Sequence, residues 1–109
     1  TIYQLMEPTQ FARHTIGLNY CAIGIENIGS KTQTLTEKQI EANALLVRYL
    51  TQKYKIEYLI GHSEYGVFRK STLWKESDPK YFTGKEDPGD EFMKKVRLLI
   101  KDLNLKSKP

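Results

Sequence analysis

Two histidines, one cysteine and a scatter of carboxylates carry whatever chemistry this chain can do. His62 sits in Gly61-His62-Ser63-Glu64, directly after the apolar run Ile56-Glu57-Tyr58-Leu59-Ile60, which reads as a strand buried on both faces. Asp87 lies in Gly84-Lys85-Glu86-Asp87-Pro88-Gly89, at the start of a helical pattern. A histidine at a strand end and an aspartate at a helix start can converge on one metal ion. No pair among His14, Cys21, Glu26, His62, Glu64, Asp78, Asp87 and Asp90 has a local ligand spacing such as H-x-x-x-H or C-x-x-C, so any such site is assembled by the fold. Asp87 has a second reading, because aspartate before a proline is an ordinary helix cap with Pro88 at the first helical position. Lys85, two residues earlier, either steadies a developing oxyanion or faces solvent.

The elements that must position these residues follow from periodicity. Thr1 to Met6 alternates as an edge strand and is broken by Glu7-Pro8-Thr9; Phe11 to Asn19 has no clear period and reads as a loop. Cys21 to Gly29 is a second strand, with Cys21, Ile23 and Ile25 on one face and Ala22, Gly24 and Glu26 on the other. Cys21 therefore faces the core as a small hydrophobe. Gly24 leaves open space beside Glu26, whose carboxylate is either solvated or part of a site.

Thr36 and Gln39 form a capping box, with Leu35 stapled to Ile40, and the helix that follows carries the stripe Ile40, Ala44, Val47, Leu50. Ser63 to Gly84 reads as a long polar loop holding Tyr65, Phe68, Trp74, Tyr81 and Phe82, aromatics that either pack it down or line a groove. A last helix runs from Pro88 to about Leu103 on the stripe Phe92, Val96, Leu99, Leu103, and residues 104–109 form a frayed tail. The order strand, strand, helix, strand, loop, helix predicts an α/β fold, a small mixed β-sheet packed with α-helices.

Composition narrows the partners. With 109 residues the chain is one domain, and with 39% apolar and 28% charged residues it is globular rather than disordered. No apolar run approaches the ~20 residues that span a bilayer. A net charge of +4 favours anionic partners, but the lysines are spread along the chain without the basic run of a nucleic-acid arm, so nucleic acid is set aside. One cysteine excludes an internal disulfide. Oligomeric state is not legible.

Five short blocks occur in a telling order: His14-Thr15-Ile16-Gly17-Leu18-Asn19, Ile23-Gly24-Ile25-Glu26, Leu35-Thr36-Glu37-Lys38-Gln39, Gly61-His62-Ser63-Glu64 and Lys85-Glu86-Asp87-Pro88-Gly89. Together they resemble the type-2 N-acetylmuramoyl-L-alanine amidases, zinc enzymes that share a fold with the peptidoglycan recognition proteins. The resemblance implies Zn2+ as cofactor, with His62 and Asp87 as ligands, Glu26 as the carboxylate that works on the water and Lys85 as the oxyanion partner. It also implies that His14 and Asn19 line the substrate groove. The implied substrate is peptidoglycan or a muropeptide, and the implied location is the cell envelope, the periplasm or outside the cell.

The family's first zinc histidine falls on a strand upstream of Thr1. The expectation is therefore an amidase-like domain over 1–103 that is N-terminally incomplete, or one in which His14 stands in as third ligand. A binding module that holds peptidoglycan without cutting it is the alternative.

Overall fold

The computed structural model describes all residues, 1–109. Its regular elements are α1 (Glu37–Lys53), a 3-10 helix (His62–Phe68), α2 (Asp90–Leu99) and a short 3-10 turn (Lys101–Leu103). The mixed β-sheet expected from the sequence is not formed. Residues 1–6 and 22–30 carry no regular structure, and neither stretch pairs as a strand with a neighbour. The sole bridge is parallel, Tyr58 with Lys106: the Lys106 N–H donates to Glu57 O at 3.0 Å, and the Leu59 N–H donates to Lys106 O at 2.9 Å. Alternating apolar residues specify that a segment has two faces; a sheet also needs a partner for each edge. Here that partner is missing, so the apolar side chains of Ile2, Tyr3, Leu5, Ile25 and Ile28 stay exposed.

The same difference explains two smaller corrections. Residues 56–60, expected to be buried on both faces, are half-buried apart from exposed Glu57, because only one edge is covered. Cys21, expected to face the core, is exposed. Burial of its surroundings still pushes the thiol above its ordinary pKa, with Lys75 pulling the other way, so the nucleophilic thiolate is scarcer than in a free cysteine.

The helices carry the larger core. α1 begins where its sequence says: Thr36 accepts from the Gln39 N–H at 3.2 Å, and the Gln39 side chain accepts from the Thr36 N–H at 2.8 Å. That reciprocal pair satisfies two orphan donors of the first turn. Ile40, Ala44, Val47 and Leu50 are buried as the stripe requires. Ile40, Ala44 and Val47 meet Phe92, Met93, Val96 and Ile100 of the α2 segment, with Leu35, Leu59, Leu103 and Leu105 packed around them. Burying each large aliphatic side chain here is worth about 1.5–3 kcal/mol.

α2 is shorter than its pattern suggested. It starts at Asp90 behind Gly89, whose φ of 97° suits glycine, and its buried face is Phe92, Met93, Val96 and Ile100, with Leu99 exposed. Arg48 of α1 forks onto Asp102 at 2.6 and 2.9 Å and also donates to Leu99 O, tying α1 to the turn after α2.

A second, smaller core lies under residues 62–74. Leu18, Tyr65 and Phe68 are buried there, with Ile16, Tyr58, Ile60, Leu73 and Trp74 against them. The segment read as a long loop thus begins as a 3-10 helix, and its aromatics pack it down. Gly17 makes this close approach possible. Its φ is +77°, and a Cβ there would stand 2.4 Å from the Trp74 ring.

Candidate functional site

His62 is the first residue of the 3-10 helix. Three contacts hold that helix start. The Glu64 carboxylate accepts from the Gly61 N–H at 2.7 Å and from Arg97 of α2 at 2.8 and 3.1 Å, and Arg97 also donates to Leu59 O at 3.0 Å. Gly61 is bare for a reason, since a Cβ there would lie 3.0 Å from both Met93 and Pro88. The 3-10 helix therefore approaches the start of α2 backbone-first. The Ser63 N–H donates to Asp87 O at 3.0 Å, which brings the chain before α2 alongside.

The side chains then meet. His62 Nδ1 lies 3.1 Å from Asp87 Oδ2, across 25 residues of sequence. Asp87 is not the cap of α2: that place belongs to Gly89, which makes no side-chain cap bond. The carboxylate is 63% exposed and the imidazole 25% exposed, so the pair sits at a surface with one side open.

Donors 2.0–2.2 Å from a tetrahedral zinc stand about 3.3 Å apart. The His62–Asp87 pair fits two such positions with little rearrangement, and it is equally a hydrogen-bonded pair as it stands. No group of three or more His, Cys, Asp and Glu side chains is gathered anywhere in the chain. The spacing of the pair is therefore compatible with two donors of one zinc, and no third donor of these types stands with them.

A cleft of about 1500 Å³ runs past the pair, with Glu26, Asn43, Lys85 and the apolar side chains of Ile23, Ile25 and Phe92 among its lining. Glu26 and Lys85 are both exposed on its walls and, together with His62 and Asp87, border the same space. Asn43 donates to Asn27 at 2.7 Å, and Gln39 donates to Ile28 O at 2.8 Å, which lays the Glu26 segment along α1. Across the opening, Lys31 and Glu86 pair at 3.1 Å while 88% and 82% exposed, a contact of little energetic weight.

His14 and Asn19 sit differently from one another. Asn19 borders the cleft, but its Oδ1 is spent inside the loop, accepting the His14 and Thr15 N–H groups at 2.8 and 2.7 Å. His14 does not border the cleft. Its Nε2 bonds the Ala22 carbonyl at 3.1 Å and its Nδ1 the Thr15 hydroxyl at 3.1 Å, and its ring covers Gly24, where a Cβ would lie 2.8 Å from Cγ. The space that Gly24 leaves open is therefore filled by His14.

Sequence reasoning placed Glu64 beside His62 as a candidate ligand but missed its role as a brace, and it missed Tyr65 and Arg97 as parts of this neighbourhood. Glu64 had a signal, standing three residues after Gly61 at the capping spacing. Arg97 had none, because its partner lies 33 residues away. Tyr65 is 1% exposed and stacks with both Trp74 and Phe82, with ring centroids 6.0 and 5.0 Å away and interplanar angles of 15° and 21°. Its hydroxyl donates to Thr83 O and accepts from the Thr83 N–H.

Residues 1–90 match the Amidase_2 family, N-acetylmuramoyl-L-alanine amidase, and the chain belongs to that family. No curated protein and no solved structure matches it. No helix is long and apolar enough to cross a membrane.

Proposed function

We propose that this chain hydrolyses the amide bond between N-acetylmuramic acid and L-alanine in peptidoglycan, with zinc held by His62 and Asp87. The observation that carries the reading is the 3.1 Å approach of His62 and Asp87 across 25 residues, in a chain of the amidase family. When bound there, zinc would supply Lewis acidity, making water acidic near neutral pH and polarising a carbonyl.

The chain's own residues then divide the work. Glu26 accepts the proton of the attacking water and returns it to the leaving alanine nitrogen as the C–N bond breaks. Lys85 offsets the negative charge that grows on the carbonyl oxygen. The cleft is larger than the roughly 300–1,000 Å³ of a typical small-molecule pocket, which suits a segment of polymer, and the net charge of +4 suits an anionic wall. The corresponding place of action is the cell envelope or the space outside the cell.

A second reading, retention of peptidoglycan without cleavage, is favoured by the presence of two ligands where catalytic zinc commonly has three. One experiment separates the two. Muropeptide is incubated with the protein, and newly freed alanine amino groups are counted with added zinc, after chelation, and for Glu26→Gln. The proposed enzyme loses activity on chelation, and Glu26→Gln lowers it by about 10²–10⁴-fold. Binding to sacculi with no release of amino groups at any zinc concentration supports the second reading. Cleavage that survives both treatments overturns the first.

A further inference from the structure

We infer that Tyr65 is a positioning residue: its buried hydroxyl holds the backbone at Thr83 and thereby sets where Lys85 and Asp87 stand relative to His62. The consequence for catalysis rests on the amidase reading; the tether itself does not. Residues 81–87 are exposed throughout and carry no regular structure. A segment of that kind wanders unless something fixed holds it.

The fixed points are few. Phe82 stacks on the Tyr65 ring, the Arg69 guanidinium lies 4.7 Å from the Phe82 centroid, and Arg69 also donates to Pro79 O at 2.8 Å. Thr83 has both of its backbone groups on one phenol oxygen. Four residues later Asp87 O accepts from the Ser63 N–H at 3.0 Å. Beyond these there are the His62–Asp87 contact itself and the Lys31–Glu86 pair, which is solvated and weak.

Tyr65 and His62 share one turn of the 3-10 helix, with ring centroids 5.7 Å apart. The residue that anchors the segment is thus rigidly linked to the residue the segment must face. A phenol suits this place, because its ring fills the Trp74–Phe82 stack while its oxygen reaches out to donate and accept at once. Phenylalanine would fill the same stack and leave the Thr83 N–H and C=O without their partner.

The test is amide hydrogen exchange on the metal-free full chain, comparing the parent with Tyr65→Phe. Expected is exchange faster by about tenfold or more at Thr83 and Ser63, with α1 amides unchanged. Trp74→Phe, which trims another ring stacked with Tyr65 and spares the Thr83 bonds, keeps parent-like exchange at those two amides. Parental protection at Thr83 in Tyr65→Phe overturns the inference. So does acceleration spread evenly over α1 and α2, which would make Tyr65 a general core residue.

Zinc affinity, read by competition with a chromophoric chelator, falls about 10–100-fold in Tyr65→Phe. A parent protein that binds no zinc sinks the amidase reading alone, since the exchange result decides Tyr65 independently.

Discussion

The Glu64–Arg97 pair offers the sharpest test of how the His62 segment is held. Glu64→Gln removes the charge while keeping a carbonyl oxygen for the Gly61 N–H; Arg97→Met removes the guanidinium while keeping an apolar stem. Arg97 makes three hydrogen bonds, to both Glu64 oxygens and to Leu59 O. Charge-assisted bonds are worth about 1.5–3 kcal/mol when well shielded, whereas exposed ion pairs are worth about 0–1 kcal/mol. The side chains here are 33% and 28% exposed, which places the pair between those limits.

The expectation is a loss of about 1 kcal/mol for Glu64→Gln and about 2 kcal/mol for Arg97→Met, which also gives up the Leu59 carbonyl. The double variant should lose about 1 kcal/mol less than the sum, because the shared interaction is counted once. Urea unfolding at neutral pH measures this as shifts in midpoint at constant slope. The coupling should shrink in about 1 M salt, where screening acts within about 3 Å. Strict additivity, within about 0.3 kcal/mol, would refute the claim that these side chains hold each other.

Two further outcomes are expected. Gly17→Ala should destabilise the protein by about 2 kcal/mol or more, since it combines a positive φ with a collision against the Trp74 ring; an unchanged melting temperature would rule out the packing described for the second core. Arg48 holds the Asp102 carboxyl below its ordinary pKa, chiefly by their hydrogen bond. A depressed folded-state pKa contributes stability above about pH 4, the unfolded value, that is lost as pH falls through the lower folded value. Arg48→Met should therefore narrow its stability gap from the parent as pH drops below about 4, and a gap that stays constant down to pH 2 would contradict the linkage.

Some of this was legible in the sequence and some was not. α1 was readable because its information is local: Thr36 and Gln39 are three residues apart, and Ile40, Ala44, Val47 and Leu50 repeat on one face. The buried face of α2 was half-readable, with Phe92 and Val96 correctly inward. The stripe expected through Leu99 runs instead through Ile100, because the buried face follows the four-residue steps Phe92, Val96, Ile100 with Met93 beside them. The sheet was misread because strand pairing is non-local, and alternation at Ile23 and Ile25 says nothing about which edge lies beside them. The approach of His62 to Asp87 could be anticipated through the family resemblance, while either residue by itself had an ordinary structural explanation. Glu64 was legible as a candidate beside His62, whereas the tether at Tyr65 and the brace at Arg97 stayed hidden because their partners lie 18 and 33 residues away.

Gly61 joins the two cores along the chain: Ile60 before it packs on the smaller cluster, and Met93, which its backbone approaches, belongs to the larger. His62 rides on the first and Asp87 leads into the second. The gap between these two donors is thus a caliper set by how one packed body docks on another. On the proposed zinc reading, grip on the ion then depends on the stiffness of that docking as much as on the two donors themselves.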